Sequence, residues 1–244
     1  MLASLLPGLR DIRTPLTVGY LYLLLGWIWF ADDIPRARPN GDGLIARLFD
    51  LGDALGRPAA LAALSFVAYV LGALLTISSE RGFGRLVLDT RTPAIGIDAR
   101  QTRFEMFERL RETHGRILEH ASGWSPEQMS RLDDEIGRAQ NANAADLRTR
   151  LLVANQELYS EYDRLAAEAE FRLNLVLPLL MTGITASAEL SLWYLPASAA
   201  VVLLLAFQGL ARRAEAQSVI SRAVLSGTIR HPMETLLARF DDAS

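Results

Sequence analysis

Cysteine and lysine are both absent from the 244 residues. Without cysteine there is no disulfide, no thiolate metal site and no thiol nucleophile. Without lysine, Schiff-base chemistry and a P-loop lysine are excluded; all 25 basic side chains are arginines, which reads as coding bias before it reads as selection for guanidinium chemistry. There is no Gly-rich phosphate loop, serine elbow or HExxH pair. Histidine is scarce: His114 and His120 stand six apart, on different faces of a helix, and His231 is isolated ahead of a proline. Surface or helix-capping roles suit all three better than a metal pair. The run Asp133-Asp134-Glu135 reads as a solvated helix face. The expectation is a protein that is not an enzyme, with no cofactor and no metal. A net charge of only -3 gives no reason to expect nucleic acid as a partner.

What the chain has is apolar length. Half of its residues are hydrophobic and its mean hydropathy is +0.17, above what a soluble domain of this size carries. A helix needs about 20 mostly apolar residues to cross about 30 Å of hydrocarbon. Thr14 to Ala31 is free of charge, as is Pro58 to Ser79, and between Arg172 and Arg212 only Glu189 is charged. That third stretch is long enough for a hairpin: Leu173 to Ala188 out, a turn over Glu189 to Pro196, and Ala197 to Ala211 back. Trp27, Trp29 and Phe30, and then Trp193 and Tyr194, mark the far ends with rings that prefer the interface. The motif WFADDIP has no small-x-small cleavage site, so the first run reads as a retained span rather than a signal peptide.

Arginine sets the orientation. Arg10, Arg13, Arg81, Arg85, Arg91, Arg172, Arg212 and Arg213 fall on one side of the four runs; the hairpin turn has none, and the four arginines of the loop from Asp32 to Arg57 are accompanied by five aspartates. The arginine-rich side is cytoplasmic. The expected fold is all-α and polytopic: four transmembrane helices in the cell (inner) membrane, both termini cytoplasmic, and a cytoplasmic helical bundle between spans two and three. The boundaries are 1–79 for the N-terminal segment and first two spans, with an outer loop at 32–57; 80–171 for the cytoplasmic helical domain; 172–213 for the hairpin; and 214–244 for C-terminal cytoplasmic helices.

Outside the spans, Leu44, Leu48, Leu51 and Leu55 recur about one turn apart in the outer loop, either as a helix lying on the membrane surface or as a cap on the bundle. Phe104, Phe107, Leu110, Ile117 and Leu118 suggest one apolar helix face. Ser125-Pro126-Glu127-Gln128 is a capping box with proline at the first helical position. Leu151, Leu158 and Leu165 repeat every seven residues, in an intramolecular bundle or an intersubunit coiled coil. With no breaker in between, one helix is expected from Asp146 into the third span, bent at Pro178. A last short helix starting near Pro232 offers Met233, Leu236, Leu237 and Phe240 for docking.

Polar residues within the spans carry the functional signal. Ser65, Tyr69, Gly72, Thr76 and Ser79 form one stripe along the second span, and Asn174, Pro178, Thr182, Thr185 and Glu189 form another along the third. Small and hydroxylated residues serve close helix packing; the same stripes, repeated around a ring of copies, would line a pore. Glu189 would then be a carboxylate at the outer mouth, favouring cations, and Gln208 is a further polar contact near the inner end of the fourth span. The layout is shared by several channel-forming families and is similar to that of small membrane effectors of bacterial (antiviral) defence systems. This resemblance lies in layout, not in a motif. It implies a homo-oligomeric channel or membrane-permeabilising effector in the lipid bilayer, gated through its cytoplasmic helices by a protein or small ligand. The alternative is a non-conducting adaptor that docks a cytoplasmic protein.

Overall fold

The computed structural model describes residues 7–33, 35, 37–76, 97–140, 144–189 and 191–241. Among these every regular element is a helix, and no strand occurs. In chain order they are α1 (Pro7–Phe30), α2 (Leu44–Leu75), α3 (Ile97–His120), α4 (Pro126–Gln140), α5 (Ala144–Ala154), α6 (Gln156–Glu189), α7 (Tyr194–Leu225) and α8 (Pro232–Asp241). The chain divides into two compact units, Met1–Arg91 with Glu170–Gly209, and Thr92–Ala169 with Leu210–Ser244. Helices α6 and α7 therefore belong to both.

The first unit is apolar on its outside. Val18, Leu25, Ala68, Leu175 and Val202 are buried, whereas Leu61, Phe66, Leu74, Leu203 and Phe207 are exposed. In water so much exposed apolar surface is unfavourable; against lipid it is the expected exterior. Three helical segments are long and apolar enough to cross a membrane: Gly56–Leu75, Gln156–Glu189 and Tyr194–Leu225. Helix α1 is not among them. Its charge-free part starts only after Arg13, and Tyr20, Tyr22, Trp27 and Trp29 dilute its hydropathy.

Helix α2 is two helices in one, broken at Gly56, whose φ of 71° and ψ of 167° are not helical. An L side chain is strained there, which is why glycine holds the position. Before the break, Leu44, Leu48 and Leu51 are exposed, whereas Ala46 among them is buried. Arg38 holds this segment to the preceding loop through two bonds to Asp50, of 2.6 and 3.0 Å.

The second unit has two apolar cores. In one, Leu147 and Leu151 of α5 and Leu165 of α6 meet Ala216, Val219, Ile220, Ala223 and Val224 of α7, with Leu158 packed beside them. The seven-residue leucine repeat therefore packs within the chain. In the other, Ile117 of α3, Ala121 in the turn after it, and Leu132 and Ile136 of α4 enclose Met233, Leu236 and Leu237 of α8, so the last helix docks by the residues its sequence offered; the Phe240 side chain lies outside the described residues.

Local chemistry sets the helix starts. Ser125 and Gln128 exchange bonds, Ser125 N–H to Gln128 Oε1 at 2.9 Å and Gln128 N–H to Ser125 Oγ at 3.4 Å, in the expected capping box. Two expectations fail. The single helix from Asp146 is interrupted at Asn155, whose Oδ1 takes the N–H groups of Glu157 and Leu158 at 3.0 Å each; the asparagine cap ends α5 and starts α6. And Phe104 and Phe107 are exposed, because α3 turns Met106, Leu110, Thr113 and Ile117 inward instead. From Gln156, α6 then continues without a break through Pro178.

Candidate functional site

The polar stripe of the second span begins at the contact with α1. The Ser65 Oγ lies 2.6 Å from the Tyr20 hydroxyl and also donates to the Leu61 carbonyl at 2.8 Å. Gly72 is buried, and a side chain there would collide with the carbonyl of Pro15 and the amide of Gly19. Gly19 is the mirror case, since a side chain on it would strike the Ala68 carbonyl. Two glycines thus let two helix backbones touch, as close packing of membrane helices requires. Tyr69 stays partly exposed. Thr76 ends the helix, its N–H on the Gly72 carbonyl at 2.7 Å, and its buried Oγ1 has no hydrogen-bond partner among the described residues. Ser79 lies outside them.

The stripe of the third span, on α6, is satisfied mostly by its own backbone. Asn174 Nδ2 donates to the Glu170 carbonyl at 2.9 Å, Thr182 Oγ1 to Pro178 at 2.8 Å, and Thr185 Oγ1 to Met181 at 3.0 Å. Each reaches back one turn, the usual way a hydroxyl hides its polarity in a helix. The Thr182 bond also occupies a carbonyl within the turn that Pro178 begins; Pro178 itself is fully buried. Thr185 additionally accepts the indole N–H of Trp29 at 2.8 Å, joining α6 to α1. Glu189 is the last residue of α6 and is exposed, as is Gln208 on α7.

Other residues of this unit complete the helix contacts. A side chain on Gly183 would overlap Ser198, so α6 and α7 approach closely there. The Arg13 guanidinium sits 4.1 Å from the centre of the Phe171 ring, a cation–π contact between α1 and α6. A single sequence gives the period of a stripe but not its partner. Arg13–Phe171, Trp29–Thr185 and Gly19–Ala68 are each far apart in the chain and leave no local signal.

In the second unit, His231 is buried and caps α8, the capping alternative for that histidine. Among the described residues no group of three or more histidine, cysteine or acidic side chains is arranged to hold a metal. Among the described residues, the polar groups brought together in the first unit are hydroxyls, an amide and the Trp29 indole N–H, which orient helices and can hydrogen-bond solutes. Comparison with protein-family models, curated proteins and solved structures finds no match for this chain.

Proposed function

We propose that this chain is an oligomeric membrane channel or membrane-permeabilising effector, not an enzyme, gated by the helical unit built from residues 92–169 and 210–244. In this reading α1 joins the three apolar segments as a fourth span in the cell membrane, and the arginine-rich ends of the spans, both termini and the gating unit are cytoplasmic. The supporting observation is the continuity of α6 and α7. Each belongs to both units without a break, so displacement of the cytoplasmic cores is passed along a helix axis to the membrane segment rather than absorbed by a loop. Four spans leave no room for a central pore in one chain, so copies would assemble around it, in closed symmetry. Ser65, Gly72 and Thr185 contact α1, which leaves Tyr69, Gln208 and the outer carboxylate Glu189 as the exposed polar groups for a lumen. A role in bacterial defence, with a cytoplasmic protein or small ligand as trigger, fits this architecture.

A second reading is favoured by the same packing: stripes consumed by helix contacts suit a non-conducting adaptor that presents its cytoplasmic unit to a protein. Purified protein in planar bilayers, with assembly checked by size, separates them. The channel reading expects cation-selective current, with selectivity reduced in Glu189→Gln at unchanged assembly. Absence of current from wild type, with and without cytoplasmic extract, would leave the adaptor.

A further inference from the structure

Helix α8 begins at a buried imidazole. His231 is 3% exposed and stands at the N-cap. Its carbonyl accepts the N–H groups of Glu234 and Thr235 at 2.9 and 3.1 Å, its own N–H donates to Glu234 Oε2 at 3.2 Å, and its ring Nδ1 accepts the Met233 N–H at 3.3 Å. Glu234 carries the attachment onward: its other oxygen is 2.6 Å from Arg109 Nε of α3, and Arg109 also donates to the Leu225 carbonyl that ends α7, at 2.8 Å. Arg150 of α5 donates to the Arg230 carbonyl at 3.1 Å. Immediately beyond the cap, Met233 is fully buried and begins the apolar strip that fills the second core.

Nδ1 can accept that N–H only while it carries no proton, so the neutral ring bears its hydrogen on Nε2. A proton on Nδ1 would set one N–H against another and place a positive charge on a ring largely shielded from water. We propose that His231 is a proton-sensitive latch: neutral, it caps α8 and keeps that helix docked; protonated, it gives up the Met233 amide and releases the helix, uncovering Met233, Leu236 and Leu237. The charges around it act in both directions. Burial disfavours the imidazolium, as does Arg150, whereas Glu234 and Asp146 favour it, and the balance sets the ring's pKa below its ordinary 6.5. Arg109 offsets Glu234 by pairing with it. Glu135 and Arg138 of α4 and Arg239 of α8 line an open recess of about 420 Å³ beside Pro232, where they are solvated. For a base whose folded pKa is depressed, docking is fully stable above the free value and weakens as pH falls through 6.5. The released-to-docked ratio rises by at most about tenfold per pH unit until the docked ring itself takes a proton.

The absence of native cysteine makes the test clean. Glu119→Cys on α3 and Arg239→Cys on α8, spin-labelled in the full chain in nanodiscs, report the distance across the docked helix. Wild type is expected to give one narrow distance at pH 7.5 and a second, longer population growing below pH 6.5. His231→Asn, whose amide oxygen caps without titrating, should stay narrow throughout. The variant lacking the other two histidines, His114→Asn with His120→Asn, should switch as wild type does. An unchanged distance in wild type down to pH 5, switching in His231→Asn with the wild-type midpoint, or loss of switching in the His114/His120 variant would each overturn the latch. The last of these decides the matter even if His231→Asn does not dock.

Discussion

Gly72→Ala is the most informative single change in the membrane unit, because packing and pore readings of the second-span stripe disagree about it. The new methyl group would fall on the Pro15 carbonyl and the Gly19 amide. Both are backbone atoms of a helix, so neither can rotate away as a flexible side chain would; α1 and α2 must move apart. Overpacking at such a contact costs about 1–3 kcal/mol, and with rigid backbone on the far side the upper end applies, about 3 kcal/mol. Working against it is the better helix propensity of alanine, about 1 kcal/mol, leaving a net loss of about 2 kcal/mol. Gly26→Ala in α1 is the control, since a side chain there meets nothing and only the propensity gain remains. The assay is reversible unfolding in mixed micelles by SDS titration, followed by tryptophan fluorescence and read as a difference between the two variants. Equal stabilities for Gly72→Ala and Gly26→Ala would refute the close approach of α1 and α2. A loss of conductance in Gly72→Ala without loss of stability would return that stripe to the pore.

Two more expectations follow from contacts and charges already described. Trp29→Phe and Thr185→Val, combined in a double-mutant cycle, should show a coupling of about 0.6 kcal/mol, the average for interhelical hydrogen bonds in membranes, and no more than about 1.7 kcal/mol; zero coupling in the same unfolding assay would dissolve the α1–α6 bond. Topology reporters at Gly123 and Ser244 should register cytoplasm and one at Asn40 the outside, since the arginine bias is one-sided; an external signal from Gly123 would invert the proposed orientation.

Much of the helical plan can be read directly, because charge-free length and capping chemistry are local. The charge-free run after Arg57, the hairpin between Arg172 and Arg212, the Ser125 capping box and the leucines at 151, 158 and 165 all depend on residues within a turn or two of one another. Asn155 was legible too, but only as a cap: reading it required giving a side-chain oxygen more weight than the surrounding helix formers. What stayed hidden is phase. The aromatic pair Phe104 and Phe107 looked like a core face, yet the buried row of α3 is shifted toward Met106 and Thr113, because which side of a helix meets its neighbours is decided by elements distant in sequence. The same holds for the site. Spacing identified Ser65, Gly72 and Thr185 as sharing helix faces, but that they face Tyr20, Pro15 and Trp29 depends on a partner strip with no matching pattern of its own.

The way the second unit is assembled from two separate stretches has a consequence for the order of events on the ribosome. Its first stretch, 92–169, supplies only three of the nine buried residues of one core and four of the seven of the other. Val219, Ala223 and Val224, near the end of α7, and later Met233, Leu236 and Leu237, are made only after residues Glu170–Gly209. At about 5–20 residues per second, α3 to α5 therefore wait several seconds with open apolar faces while the hairpin emerges. A chain that stops before α7 and α8 are made therefore leaves Ile117, Leu132 and Leu151 uncovered, exposed to aggregation rather than released as a folded fragment.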